Sequence, residues 1–198
     1  MDSVPVAVTI AVSTAFGAAL TLACAQKPPP PPPPPPPPAA KFTSAQRFEG
    51  KVAVVTGAAS GLGLATSERI LRDGGCVLMT DVNEAALTAA VERLGQIKGA
   101  ESVRGVAKDI SSRAGAVAVV AAAEVAWGHV DVLVNSAGIT ARNVRPEADF
   151  EERWDAVMKV NVKGSMLMCH AAVEAFRRRR CVTSPRHAPS LLLVSISP

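Results

Sequence analysis

Apolar and polar positions alternate along this chain in two periods that exchange with each other from about residue 50 onward. Val52–Thr56 is a short β-branched run of the kind that forms a buried strand, and Leu62–Leu71 carries apolar residues at helical spacing before Gly74-Gly75 stops it. "CVLMTDVN" reads as a second strand, Asn83–Leu94 as a helix, Ser102–Ala107 as a third strand and Ser112–Trp127 as a helix rich in Ala and Val. "HVDVLVNSAG" follows as a buried strand, a long helical stretch runs from about Phe150 to Arg180, and Leu191–Ser195 reads as a final strand. Strand and helix in strict alternation predict parallel strands joined by helical crossovers, hence an α/β, doubly wound parallel sheet of the Rossmann type.

The first fifty residues are patterned differently. Val4–Ala25 contains twenty-two residues without a charge, enough at about 1.5 Å per residue to cross about 30 Å of bilayer hydrocarbon. "ACA" at Ala23–Ala25 is compatible with a cleaved signal or transit segment. Asp2 precedes the run, whereas Lys27, Lys41, Arg47 and Lys51 follow it, and that asymmetry favours an uncleaved membrane anchor with the domain in the cytosol. Targeting to an organelle or the secretory pathway is the alternative. Eleven prolines, Pro28–Pro38, should form a polyproline II rod, read as a spacer rather than as a ligand for a proline-reading domain. The expected organisation is an anchor or signal segment at 1–26, a linker at 27–47 and a dinucleotide-binding domain at 48–198.

Composition narrows the class. The net charge of +4 is modest, and the run Arg177–Arg180 reads as the solvated, dipole-compensating end of a helix, with no interleaved aromatics to suggest nucleic acid. Cys24, Cys76, Cys169 and Cys181 show no C-x-x-C spacing and are read as reduced thiols. His129, His170 and His187 form no metal-ligand pattern, so no metal site is expected.

Chemistry enters where the first strand turns into the first helix. Gly57, Gly61 and Gly63 fall in that turn. A tight strand-to-helix turn leaves free N–H groups and a positive dipole end where a pyrophosphate can sit, and a side chain there would block the approach. A glycine pattern alone is weak. The second strand strengthens it by ending in Asp81, eighteen residues after Gly63. A carboxylate at that tip can accept hydrogen bonds from both hydroxyls of an adenosine ribose and repels a 2′-phosphate, which favours NAD over NADP. No Lys or Arg lies within the glycine loop to reverse that preference.

"TGAASGLG" (Thr56–Gly63), Asp81, Asp109, "NSAG" (Asn135–Gly138) and "NVKG" (Asn161–Gly164) stand in an order and spacing that resembles the short-chain dehydrogenase/reductases. The resemblance covers about Phe48 to Pro198. It implies an oxidoreductase that moves hydride between a nicotinamide and an alcohol or carbonyl carbon of a small molecule. It further implies that Gly57, Ser60, Gly61, Leu62 and Gly63 line the pyrophosphate seat, that Asp109 faces the adenine, and that Asn135, Ala137 and Gly138 lie beside the cofactor. By the same resemblance Asn161 is the asparagine that holds a water in the proton relay, and Ser197 the serine that hydrogen-bonds the substrate. Homo-oligomers through Ser112–Trp127 and Phe150–Arg180 are expected on the same ground.

Two departures accompany the resemblance. Ser136 stands where the family usually has Asn or Ala. The family's Tyr-x-x-x-Lys pair follows the serine by about a dozen residues, whereas here Pro198 directly follows Ser197 and the sequence contains no tyrosine. A proton donor of that kind contributes roughly 10²–10⁴ in rate. The sequence reading is therefore of a domain incomplete at its C-terminal side, an N-terminal piece of an NAD-dependent enzyme that is inactive as it stands. The alternative is a catalytically silent, membrane-tethered NAD-binding module.

Overall fold

The computed structural model describes residues 47–180. Ser197, the Leu191–Ser195 strand, the Val4–Ala25 segment and the proline run lie outside the described residues.

Four strands form the sheet: β1 (Val52–Thr56), β2 (Cys76–Asp81), β3 (Val103–Ala107) and β4 (Val132–Asn135). Every pairing is parallel and the spatial order is β3-β2-β1-β4. The helices are α1 (Gly61–Arg72), α2 (Glu84–Lys98), α3 (Arg113–Trp127), α4 (Phe150–Met158) and α5 (Ser165–Arg180). Short 3₁₀ turns at Ala100–Ser102 and Ala141–Asn143 complete the connections.

Both faces of the sheet are covered, which explains why the strands read as continuous apolar runs. Val52 and Val54 of β1, Leu78 of β2 and Leu133 of β4 pack on α3 and α5 through Val119, Ala123, Met168 and Phe176. The alternate positions Ala53, Val55, Val77, Met79, Val132 and Val134 face the other way, against Ile70 and Leu71 of α1 and Leu87 and Leu94 of α2. This period of two assigns each strand residue to one layer or the other. The doubly wound architecture expected from the alternation is therefore present in the described residues.

Helix starts are set by polar side chains, as the sequence suggested within a residue or two. Asn83 caps α2 by accepting from the Ala86 N–H at 3.1 Å, and Ser112 caps α3 by accepting from the Gly115 N–H at 3.0 Å. Asp149 and Glu152 form a capping box at α4. Gly128 closes α3 in the left-handed region at φ 80°.

The chain differs from the sequence expectation in two places. Phe150–Arg180 is not one regular α-helix, because Lys159–Gly164 between α4 and α5 is π-helical. The wider turn coincides with two anchoring contacts: the Asn161 side chain holds the Ile139 backbone, and the Ser165 hydroxyl donates to the Asn161 carbonyl at 2.8 Å. Secondly, the arginine run is not simply solvated. Arg178 makes a two-pronged contact with Glu124 on α3, and Arg179 reaches the buried Asp131 just before β4. Among the described residues no helix is long and apolar enough to cross a membrane.

Candidate cofactor cleft

In parallel strands all C-terminal ends lie on one side of the sheet, and ligands of such folds sit there, where the strand order reverses between β1 and β4. A cleft of about 990 Å³ opens at that edge. One wall comes from the β1–α1 turn, another from the ends of β2 and β3, and the third from the segment after β4.

The three glycines of the turn are required for three separate reasons. Gly57 has φ +61°, and a Cβ there would lie 2.7 Å from the Ala137 Cα, so it lets the β1 exit lie directly against the β4 exit. Gly63 is helical, but a Cβ would stand 2.3 Å from the Gly57 carbonyl oxygen, so its absence lets α1 pack onto the turn. Gly61 has φ +52° and nothing within 4 Å of the Cβ position, which leaves its backbone open to the cleft. Ser60 occupies the N-cap of α1 in extended conformation and makes no side-chain cap hydrogen bond. Leu62, in the first turn, is 55% exposed and lines the cleft. The first N–H groups of a helix have no intrahelical partner, so this end of α1 can receive an anion. These residues fit a dinucleotide's pyrophosphate.

Asp81 ends β2 with its carboxylate already oriented. One oxygen accepts from the Ala59 N–H at 3.2 Å, tying the strand tip to the glycine turn, and the other accepts from the Asn83 N–H at 3.0 Å. A carboxylate has roughly four lone-pair sites, so acceptor capacity remains toward the cleft. Asp109 follows β3 and also lines the cleft. Hydrogen bonds from Ser111, including its N–H at 2.8 Å, hold the Asp109 carboxyl below the ordinary carboxylate range, with Lys159 and Lys163 acting in the same direction. Asp109 is therefore ionised at neutral pH.

On the third wall, Asn135 is 2% exposed at the end of β4, and its amide donates toward the Ser165 carbonyl at 3.5 Å and the Cys169 sulfur at 3.4 Å. Burial pushes the Cys169 thiol up, opposed by that amide contact. Ala137 and Gly138 line the cleft with Ser136. The Ser136 and Ala137 N–H groups both donate to the Thr56 hydroxyl, at 3.1 and 3.0 Å. Thr56 opens the glycine motif in the sequence, but sequence reasoning assigns its hydroxyl no role. The available signal is a fully buried hydroxyl residue closing an apolar strand just before a glycine turn.

Asn161 is placed by the π-helical stretch. Its side-chain oxygen accepts from the Ile139 N–H at 2.8 Å, and its amide donates to the Ile139 carbonyl at 2.9 Å. The side chain thus acts as a short strand beside Ile139, and pins the segment after β4. Two cations of the cleft, Lys108 and Arg142, were also missed, because neither belongs to a motif and only the tertiary arrangement brings them there.

Parallel order β3-β2-β1-β4, a glycine turn feeding a helix, and a carboxylate at the tip of β2 define a dinucleotide-binding α/β protein of the Rossmann type. The chain belongs to the short chain dehydrogenase family, whose model matches residues 51–181. D-threitol dehydrogenase of Mycolicibacterium smegmatis is 37% identical over 125 residues, 63% of this chain and 47% of that protein. A hydroxyacyl-CoA dehydrogenase of Mycobacterium tuberculosis is 41% identical over 140 residues, 68% of this chain and 43% of the relative. The crystal structure of 3-ketoacyl-(acyl-carrier-protein) reductase from Brucella melitensis complexed with NADH superposes with a TM-score of 0.57 at 35% identity, covering 67% of this chain and 53% of that one. The chain thus spans about half the length of the curated relatives it matches.

Proposed function

We propose that this domain is the cofactor-holding part of an NAD-dependent oxidoreductase that moves hydride between the nicotinamide and an alcohol or carbonyl carbon of a small molecule. One observation carries the reading: the open N-terminus of α1, the oriented carboxylate of Asp81 and the backbone of Ser136–Gly138 face a single cleft. Gly57, Ser60, Gly61, Leu62 and Gly63 would hold the pyrophosphate, Asp81 the adenosine ribose and Asp109 the adenine. The bound dinucleotide supplies hydride exchange. Asn135 and Asn161 keep the β4 exit in place, and Asn161 is assigned to the proton relay together with Ser197. The 198 residues contain no tyrosine, so the phenol that serves as proton donor in the family is not among them. The sequence-based expectation of a membrane anchor at residues 1–26, with the domain in the cytosol, belongs to the same proposal.

Asp81 decides the cofactor. Titration of the chain with NAD and NADP, followed by calorimetry, is expected to show tighter NAD binding. Asp81→Ser should weaken NAD about tenfold, the worth of a hydrogen bond to a charged group, and bring NADP level with it or ahead. A chain that binds neither dinucleotide would overturn the reading.

A second copy of the chain is the partner favoured by the surface. Phe150, Trp154, Met158, Val162 and Met166 recur at every fourth position along α4, the π-helical stretch and α5, and all five are exposed. The Phe150 and Trp154 rings stack with centroids 6.4 Å apart. Apolar stripes of this kind usually mark association. Sedimentation velocity at micromolar concentration should show a dimer or larger species, and Trp154→Glu should shift it to monomer. Sedimentation of the unmodified chain as a monomer would count against the assignment.

A further inference from the structure

The segment after β4 is held at successive points. Asn161 pins Ile139 by two hydrogen bonds. The Asn143 side-chain oxygen then accepts from both the N–H and the hydroxyl of Thr140, at 2.7 and 3.0 Å, which fixes the turn Ala141–Asn143. Beyond it, Arg145 pairs with Glu152 at 2.5 Å, and Arg153 donates to the Ala148 and Pro146 carbonyls at 2.8 and 2.6 Å. Two of the three arginines of this region are therefore spent on holding it together.

The third, Arg142, is exposed on the fixed turn, lines the cleft, and forms no ion pair among the described residues. Among the described residues, four charged ones line the cleft: Asp81, Lys108, Asp109 and Arg142. The first three stand at the ends of β2 and β3, the side assigned to adenosine. Arg142 alone comes from the β4 side, three residues after the Ile139 that Asn161 holds. The pyrophosphate seat is at Gly57–Gly63, whose turn abuts Ala137, five residues before Arg142 in the chain.

Resting on the oxidoreductase reading above, we infer that Arg142 selects the substrate by binding a carboxylate on it, so that the substrate class is a small oxo or hydroxy acid. A guanidinium is permanently charged and presents a planar fork that matches a carboxylate in two hydrogen bonds. Among the described residues, Arg142 is the one lining cation from the β4 side, and a lone guanidinium there suits a monoanion better than a phosphate dianion. The pinned turn lowers the ordering cost of binding, because the backbone carrying the guanidinium is set beforehand.

The test uses the full chain. NADH binding is first measured by fluorescence. Acetoacetate and 2,4-pentanedione, near-isosteres that differ by the carboxylate, are then titrated into the NADH-saturated chain by ligand-observed NMR. Acetoacetate should bind about tenfold more tightly than the neutral diketone, the value of a charge-assisted hydrogen bond. That preference should vanish in Arg142→Ala, persist in part in Arg142→Lys, and reverse in Arg142→Glu, with NADH affinity unchanged in all three. Equal binding of the two probes, binding of neither by a chain that takes up NADH, or a preference that survives Arg142→Ala would overturn this inference alone. Loss of NADH affinity in Arg142→Ala would make the residue a cofactor contact and also overturn it. A parent chain that takes up no NADH would instead overturn the dinucleotide reading on which it rests.

Discussion

Gly57→Ala should lower the melting temperature by about 10 °C and abolish NAD binding. Two costs add at this position. The backbone has φ +61°, where an L side chain costs about 1–2 kcal/mol. The new methyl would also stand 2.7 Å from the Ala137 Cα and 2.8 Å from its N, a clash with backbone that no rotamer relieves. Overpacking of that kind typically costs about 1–3 kcal/mol, so a total of about 3 kcal/mol is expected, and each kcal/mol moves the melting point of a domain this size by about 2–4 °C. Gly61→Ala separates stability from binding. Its φ of +52° carries the same backbone strain, but nothing lies within 4 Å of the added carbon. A loss of only about 1 kcal/mol is expected there, while the methyl enters the pyrophosphate seat and NAD affinity falls about tenfold or more. Differential scanning fluorimetry with and without NAD reads both quantities. If Gly61→Ala bound NAD as well as the parent chain, the α1 N-terminus would not be the pyrophosphate seat.

The second large effect is expected at the opposite end of the sheet. Asp131 precedes β4 and is 1% exposed, a buried carboxyl group among basic side chains. Its carboxylate accepts from the Val52 N–H at 2.9 Å and faces Lys51 at 3.8 Å, His129 at 3.2 Å and Arg179. It therefore joins the N-terminal ends of β1 and β4 to the last turn of α5. Burial pushes the Arg179 guanidinium down from its ordinary value. Removing one partner of a buried pair costs about 3–5 kcal/mol because the other charge stays behind. Asp131→Ala should therefore lower the melting temperature by about 10–15 °C, and Asp131→Asn by less, since the amide oxygen can still accept from Val52. Glu68→Ala, which breaks exposed pairs with Arg72 and Arg93, provides the contrast, with an expected loss below about 1 kcal/mol. NAD affinity of folded Asp131→Ala should be unchanged, because the cleft lies at the other ends of the strands. A melting temperature within a degree or two of the parent would remove Asp131 from the list of structural anchors.

Much of this arrangement can be read before any coordinates are seen. Val52–Thr56, the glycine turn and Asp81 are local signals: a period of two, a period near 3.6, and residue types that only certain turns accept. Such signals need no knowledge of distant contacts, so the strand and helix identities from Val52 to Asn135, their parallel pairing and the end of the sheet where the cleft opens follow from them. The helix starts near Asn83 and Ser112 belong to the same class.

Other features depend on what the fold brings together. Gly57 is required by Ala137, eighty residues away, and Gly63 by the carbonyl of Gly57, so the same glycine pattern conceals separate packing reasons. The run Arg177–Arg180 looks like a solvated helix end in one dimension, and only the return of α5 beside α3 and β4 gives Arg178 and Arg179 their carboxylates. Asn161 interrupts a regular helix because Ile139 is within its reach. Periodicity records which face of an element is buried, a property of neighbours along the chain. The partner of a charged or amide side chain is set by distances across the sheet, and those exist only once the layers have packed.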